Sequence, residues 1–158
     1  MGHDEAVRVH LARLLGWKEA HVDFDAAVAG LPADLRGRRA SGFAHSPWEL
    51  VEHLRLAQRD LLDFCVDPNY TAPAWPDDYW PPKPEPPDDE AWDRSLAAFR
   101  ADREALQALA ADPARDLTAR IPHGTGQTYL RSILLVADHN AYHIGQLVAV
   151  RQALGAWL

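Results

Sequence analysis

Apolar positions recur along this chain at intervals of three and four residues, in four blocks separated by polar, proline-rich or glycine-bearing stretches. That spacing marks amphipathic helices, since strands would alternate with a period of two. The first block runs from about Asp4 to Ala29 with Val7, Leu11, Leu14, Leu15, Val22 and Val28, and Leu31-Pro32 closes it. The second opens at "SPWE". Ser46 falls at the N-cap, Pro47 at the first helical position and Glu49 at the third, a capping box ahead of Leu50, Leu54, Leu61 and Leu62. Asp67-Pro68 stops it near Val66, because a residue before proline is driven out of the helical region. The third block, about Asp89 to Ala111, has an acidic first turn and then Trp92, Leu96, Phe99, Leu106 and Leu109. The fourth, about Thr128 to Leu154, ends at Gly155, a residue suited to a helix C-cap. The pattern predicts an all-α fold, most simply a four-helix bundle.

The connection between the second and third blocks sets the topology. "DPNYTAPAWPDDYWPPKPEPPDD" holds eight of the twelve prolines and can be neither helix nor inner strand. At about 3.1 Å per residue, roughly 20 such residues span about 60 Å. A 20-residue helix is only about 30 Å long. The chain can therefore run back along the bundle, so the order expected is up-down-down-up, with the Pro-rich crossover between helices two and three. Tyr70, Trp75, Tyr79 and Trp80 lie on this crossover. Their rings either staple it to the bundle or, for Trp75 and Trp80, line a pocket mouth. The connection 112–127 contains "PHGTGQT", whose glycines punctuate the entry to the last helix.

Composition narrows the setting. A chain of 158 residues, 47% hydrophobic and 25% charged, reads as one globular domain over 1–158. A net charge of −7 with scattered basic residues argues against a nucleic-acid surface. No apolar run approaches the length of a membrane span, and the first residues lack the apolar stretch of a secretory signal, so the expectation is a cytoplasmic protein with no membrane partner. Cys65 is alone, which excludes an internal disulfide and a cysteine-built metal site.

Candidate chemistry lies in the last helix. Of eight histidines, His139 and His143 are spaced by four on the fourth helical block, so both rings point one way. Their face also holds Leu135, Val136, Leu147 and Val150, with Gln146 beside them. Two neutral imidazoles there would each need partners for both ring nitrogens, or they serve as two ligands of one metal. Asn140 stands where the zinc-protease motif HExxH has its glutamate, so that reading fails for want of a general base. A third ligand must come from another helix. His53 is the candidate, on the stripe of Leu50, Ala57, Leu61 and Phe64. Three neutral histidines with an open position form the pattern of a catalytic site. His3, His45, His21 (which could pair with Asp25) and His123 read as structural or surface residues, although His123 could approach the pocket from its loop.

With "SPWELVEHL", "IPHGTGQT" and "ADHNAYHIGQL" on the page, the chain resembles the DinB-like (YfiT-like) superfamily, grouped as metalloenzymes although most members have no assigned reaction. The resemblance covers nearly the whole chain. It implies an up-down-down-up four-helix bundle and a divalent metal, often zinc or nickel, held by three histidines, here His53, His139 and His143. It implies dimers in many members and, in some relatives, transferases or isomerases that use a low-molecular-weight thiol.

Two functions follow as expectations. The first is a metal-dependent enzyme on a small-molecule substrate, of thiol-dependent S-transferase or hydrolase type. A metal held by three histidines lowers the pKa of bound water to about 7, or that of a thiol further. Cys65 falls about 120° round the helix from His53 and reads as core, so a thiol would be a co-substrate. Glu49, about 40° off the direction of His53, is the candidate acid or base, or else only the capping carboxylate. Gln146 and Tyr142 are candidates to orient a substrate, with Tyr142 equally an interface ring. The second function is a non-catalytic metal-binding or stress-response protein. A core of purely structural histidines is the third reading. The other side of the last helix carries Leu130, Leu134, Ala137, Ala141, Ile144 and Val148, which leads to the expectation of a homodimer.

Overall fold

The computed structural model describes residues 2–157. Among them are five α-helices and no strand: α1 (His3–Leu14), α2 (Phe24–Val28), α3 (Pro47–Val66), α4 (Ala91–Ala111) and α5 (Tyr129–Ala153). None is long and apolar enough to cross a membrane.

Three of the four expected helices form nearly as the pattern predicts, and both the start of α3 and the end of α5 are capped as read. Ser46 Oγ accepts from Glu49 N at 3.2 Å and the Glu49 carboxylate accepts from Ser46 N at 2.7 Å. Thr128 accepts from Arg131 N at 3.1 Å to start α5. Gly155, at a φ of 69°, ends it in the left-handed conformation that a side chain would resist.

The first block differs. It is not one helix but two, because α1 stops at Leu14 before Gly16. Asp23, itself buried, then caps a new helix by accepting from Ala26 N at 2.9 Å. The apolar row from Val7 to Val28 is thus divided: Leu11 and Leu14 lie on α1, Val28 on α2, and Leu15 and Val22 on the connection between them. Val7, counted on that row, is left exposed. Asp25 pairs with Arg100 at 2.7 Å and Arg103 at 3.0 Å, not with His21.

Contacts fix which helices neighbour which. Along α3 and α4 they ascend together, since Gln58 meets Phe99 and Arg59 meets Asp102. Along α3 and α5 they run in opposite order: His53 meets His143, and Gln58 meets Asn140. Arg8 of α1 donates to the Asp112 and Arg115 carbonyls, just past the end of α4, while Gln107 reaches back to Ala12.

The core has two apolar clusters. One gathers Phe24, Trp48, Leu50, Leu54, Trp92, Phe99, Ile144 and Leu147. The other gathers Leu11, Leu62, Cys65, Leu106, Ile121, Ile133 and Val136. Buried polar side chains, Gln58 and Asn140 among them, lie between the two along α3 and α5. Cys65 belongs to the second cluster, and burial pushes its thiol up to about 11. It is core, as its place on the helix suggested.

Candidate metal centre

The capping box sets the start of α3, and His53 follows its buried first turn in line with Leu50 and Ala57. His139 and His143 project from one face of α5. Where the two helices pack, His53 Nε2 stands 3.1 Å from His139 Nε2 and 3.2 Å from His143 Nε2. Among the described residues this is the one group of three or more His, Cys, Asp or Glu side chains whose ligand atoms converge. His53 and His143 are buried.

The far nitrogens decide what these near ones can be. His53 Nδ1 lies 2.8 Å from the Tyr79 carbonyl oxygen, which can only accept, so Nδ1 carries the hydrogen and Nε2 a lone pair. His143 Nδ1 lies 2.7 Å from Gln146 Oε1, while Gln146 Nε2 donates to the Tyr142 hydroxyl at 3.2 Å. That ring too presents a bare Nε2. Two lone pairs therefore face each other at 3.2 Å, a repulsive arrangement unless a cation lies between them. A proton is a poor candidate. Burial, with neighbouring imidazoles adding to it, pushes His53 and His139 down to about 4 and lowers His143 as well. A divalent ion fits the donor set. Two imidazole nitrogens on one tetrahedral zinc, each at about 2.0–2.1 Å, stand roughly 3.3 Å apart.

Aromatic rings wall the group. Trp80 lies flat on His53, with centroids 3.9 Å apart and planes 2° apart, and His45 stacks on Trp80 in turn at 4.0 Å. Tyr142, a residue 64% exposed, meets His143 edge-on at 4.9 Å, which leaves the centre near the surface on the α5 side.

The other residues singled out from sequence lie elsewhere. Trp75 is 72% exposed and packs on Tyr79. His123 Nε2 contacts the Phe64 carbonyl at 2.8 Å, eleven residues and about 16 Å along α3 from His53, so it does not approach the group. Glu49 is buried, with its oxygens on Arg39 and on Ser46 N. Burial would raise its carboxyl, but the Arg39 and Ser46 hydrogen bonds outweigh this and hold it below the ordinary range.

Sequence reasoning missed three things. His45 reads from sequence as a structural or surface residue, and its stacking on Trp80 has no local signal. The Tyr79 carbonyl is main chain, so no residue type announces it. Gln58 did leave a trace: it is the polar member of the row Leu50, Leu54, Gln58, Leu62, all four of them buried.

An all-helical chain with three imidazoles converging from two helices defines a class, the helical proteins with a three-histidine centre. The family described as the DinB superfamily matches residues 17–147, and the chain belongs to it. No curated protein and no solved structure matches the chain.

Proposed function

We propose that the chain is a single-domain four-helix bundle over 1–158 whose His53, His139 and His143 bind one divalent metal, zinc or nickel, as the centre of an enzyme acting on a small molecule. The contact order along α3, α4 and α5 supports the up-down-down-up arrangement, with 67–90 as the crossover. The observation that carries the metal reading is the pair of bare Nε2 atoms, each fixed by its own Nδ1 partner, facing each other at 3.2 Å.

When bound, the metal supplies Lewis acidity, which makes water or a low-molecular-weight thiol nucleophilic near neutral pH. The chain's own residues supply the rest. Trp80 and the Tyr79 carbonyl hold His53, and Gln146 holds His143. Tyr142 and Gln146, on the exposed side, are positioned to meet a substrate. The surroundings of Glu49 give no support to an acid–base role, since Arg39 and Ser46 already occupy its oxygens. The reading includes a homodimer through α5. Leu134 and Tyr142 remain exposed for it, whereas Ala137 and Ile144 of the same expected face are buried in the chain's own core.

The test is metal content after purification without a histidine tag. The expected result is a single ion per chain in the wild type and none in His53→Ala. A metal-free protein whose Tm ignores added zinc and nickel would overturn the reading. Turnover is then sought with thiols plus electrophiles, and with esters and amides. No rate above that of His53→Ala would favour a metal-binding or stress-response role without catalysis. A monomeric mass by light scattering would remove the dimer.

A further inference from the structure

A cavity of about 260 Å³ lies on the other side of α5 from the three imidazoles, between the connection from Leu15 to Asp23 and the helices α4 and α5. The α5 residues that line it, Ala137, Asn140, Ala141 and Ile144, form a face centred about 130° round the helix from the histidine pair. It is therefore not a lobe of the metal centre. Most of its wall is apolar, with Leu15, Phe24, Phe99 and Ile144 all buried. Two buried side chains interrupt that wall, and both offer acceptors. The Asp23 side chain is 5% exposed. Its Oδ1 accepts from Ala26 N at 2.9 Å, while its Oδ2 meets only the Lys18 ammonium, at 3.3 Å on a largely exposed side chain. Asn140 is 4% exposed. Its Nδ2 donates to Gln58, and its Oδ1 has no partner among the described residues. A buried oxygen in that state calls for a donor. Trp17, partly exposed, also lines the cavity.

We propose that this cavity binds a small hydrophobic amine, its apolar body against Phe24, Phe99 and Ile144 and its ammonium on the Asp23 carboxylate. The lining selects that class. A hydrocarbon leaves both acceptors without a donor, and an anion meets the Asp23 charge. Waters filling the volume would find too few polar partners, since each needs roughly two to four. An apolar cavity of about 150 Å³ already admits a benzene ring, so this one has room for a ring with a short arm. Lys18 shows the head-group contact from the solvent side, and displacing it costs little because an exposed pair is screened. Trp17 adds an aromatic ring, which attracts a cation, and the net charge of −7 favours a cation's approach. The site stands apart from the metal reading, and neither requires the other.

Phenethylamine is the probe, with phenethyl alcohol, ethylbenzene and phenylacetate as isosteres, titrated against the whole chain with and without zinc. The amine should bind once per chain, about tenfold or more tightly than the alcohol and ethylbenzene, with phenylacetate weakest. Asp23→Asn keeps an acceptor for Ala26 N, so it should fold, leave ethylbenzene unchanged and weaken the amine about 10–100-fold. Ala141→Leu sets a larger side chain into the cavity from a helical position that suits leucine. It should unfold at no lower urea than the wild type and bind none of the probes. An amine bound no better than the alcohol, or as tightly by Asp23→Asn as by the wild type, would overturn the proposal, and these two results decide even where Ala141→Leu folds poorly. Wild-type affinity in a folded Ala141→Leu would also overturn it. Amine binding that needs zinc, or that is lost in His53→Ala, would assign the amine to the metal centre and remove the cavity site. A chain that binds the amine as expected but no metal removes the metal reading alone.

Discussion

His53 and the pair on α5 reach the same point by different means. The outer nitrogen of His53 is held by a main-chain carbonyl, Tyr79, that belongs to the crossover and lies 26 residues away. His143 is held by Gln146 of its own helix, three residues on. A helix-borne acceptor moves with the ring it holds, so the outer side of His143 is organised within α5 alone. The α3 half is organised only when the crossover is docked. That docking has its own anchor further along α3: Asp60 accepts from the Tyr70 hydroxyl at 2.6 Å and from the Tyr79 hydroxyl at 2.7 Å. Burial and the Asp60 carboxylate both push these phenols well above their ordinary range, so they stay protonated donors. One half of the centre is local, and the other depends on tertiary structure.

The largest effect expected from this comparison is the loss of a ligand from either half. With metal at about 100 times its Kd, binding stabilises the wild type by about 2.7 kcal/mol. His53→Ala and His143→Ala should each abolish the metal-dependent rise in Tm. A rise that survives in His53→Ala would mean that α5 alone holds the ion. Next comes Asp60→Ala. It strips the acceptor from both phenols, and the expected cost is roughly 2 kcal/mol in urea unfolding together with weaker metal binding. Gln146→Ala should instead weaken binding about tenfold with little change in stability, because its partner ring stays in place on the helix. Equal stability losses in the two variants would erase the distinction between a local and a docked half.

Acid sharpens the same contrast. In the unfolded chain the histidines take up protons near pH 6.5, whereas folded His53 and His139 do so only near 4. Between these values the unfolded state binds more protons. The metal-free protein should therefore hold its full stability above about pH 6.5 and lose it progressively as pH falls toward about 4, as read by urea midpoints. His53→Ala, which removes one of the three lowered histidines, should show a shallower fall. An identical slope in wild type and variant would mean that His53 is not buried neutral.

How far the sequence carried the site depends on which interactions are local. The capping box, the HxxxH spacing and the polar breaks in apolar rows are short-range, and they located α3, α5 and all three imidazoles. The split of the first block was not legible, because the row through Leu15, Val22 and Val28 fits one helix or two, and the buried cap of Asp23 decides. The carbonyl on His53 and the stacking of His45 on Trp80 come from chain segments that meet only in the fold. Trp80 itself was visible as a ring on the crossover, but not as the one lying flat on His53.

Glu49 is the smallest test and the one that divides scaffold from chemistry most cleanly. Its carboxylate closes the α3 cap and pairs with Arg39, a half-exposed partner whose attraction water screens. Glu49→Gln keeps an oxygen for Ser46 N but loses the charge. The expected cost near pH 7 is about 1 kcal/mol in urea unfolding. The carboxyl is held below its ordinary value, so the stability it contributes is present above about pH 4.5 and disappears as pH falls through the lowered folded value. The wild type and the variant should therefore converge in acid. Metal affinity should not change, because no oxygen of Glu49 belongs to the converging group. The opposite pattern, unchanged stability with lost turnover on an identified substrate, would return Glu49 to the chemistry and show that Arg39 releases it when substrate binds.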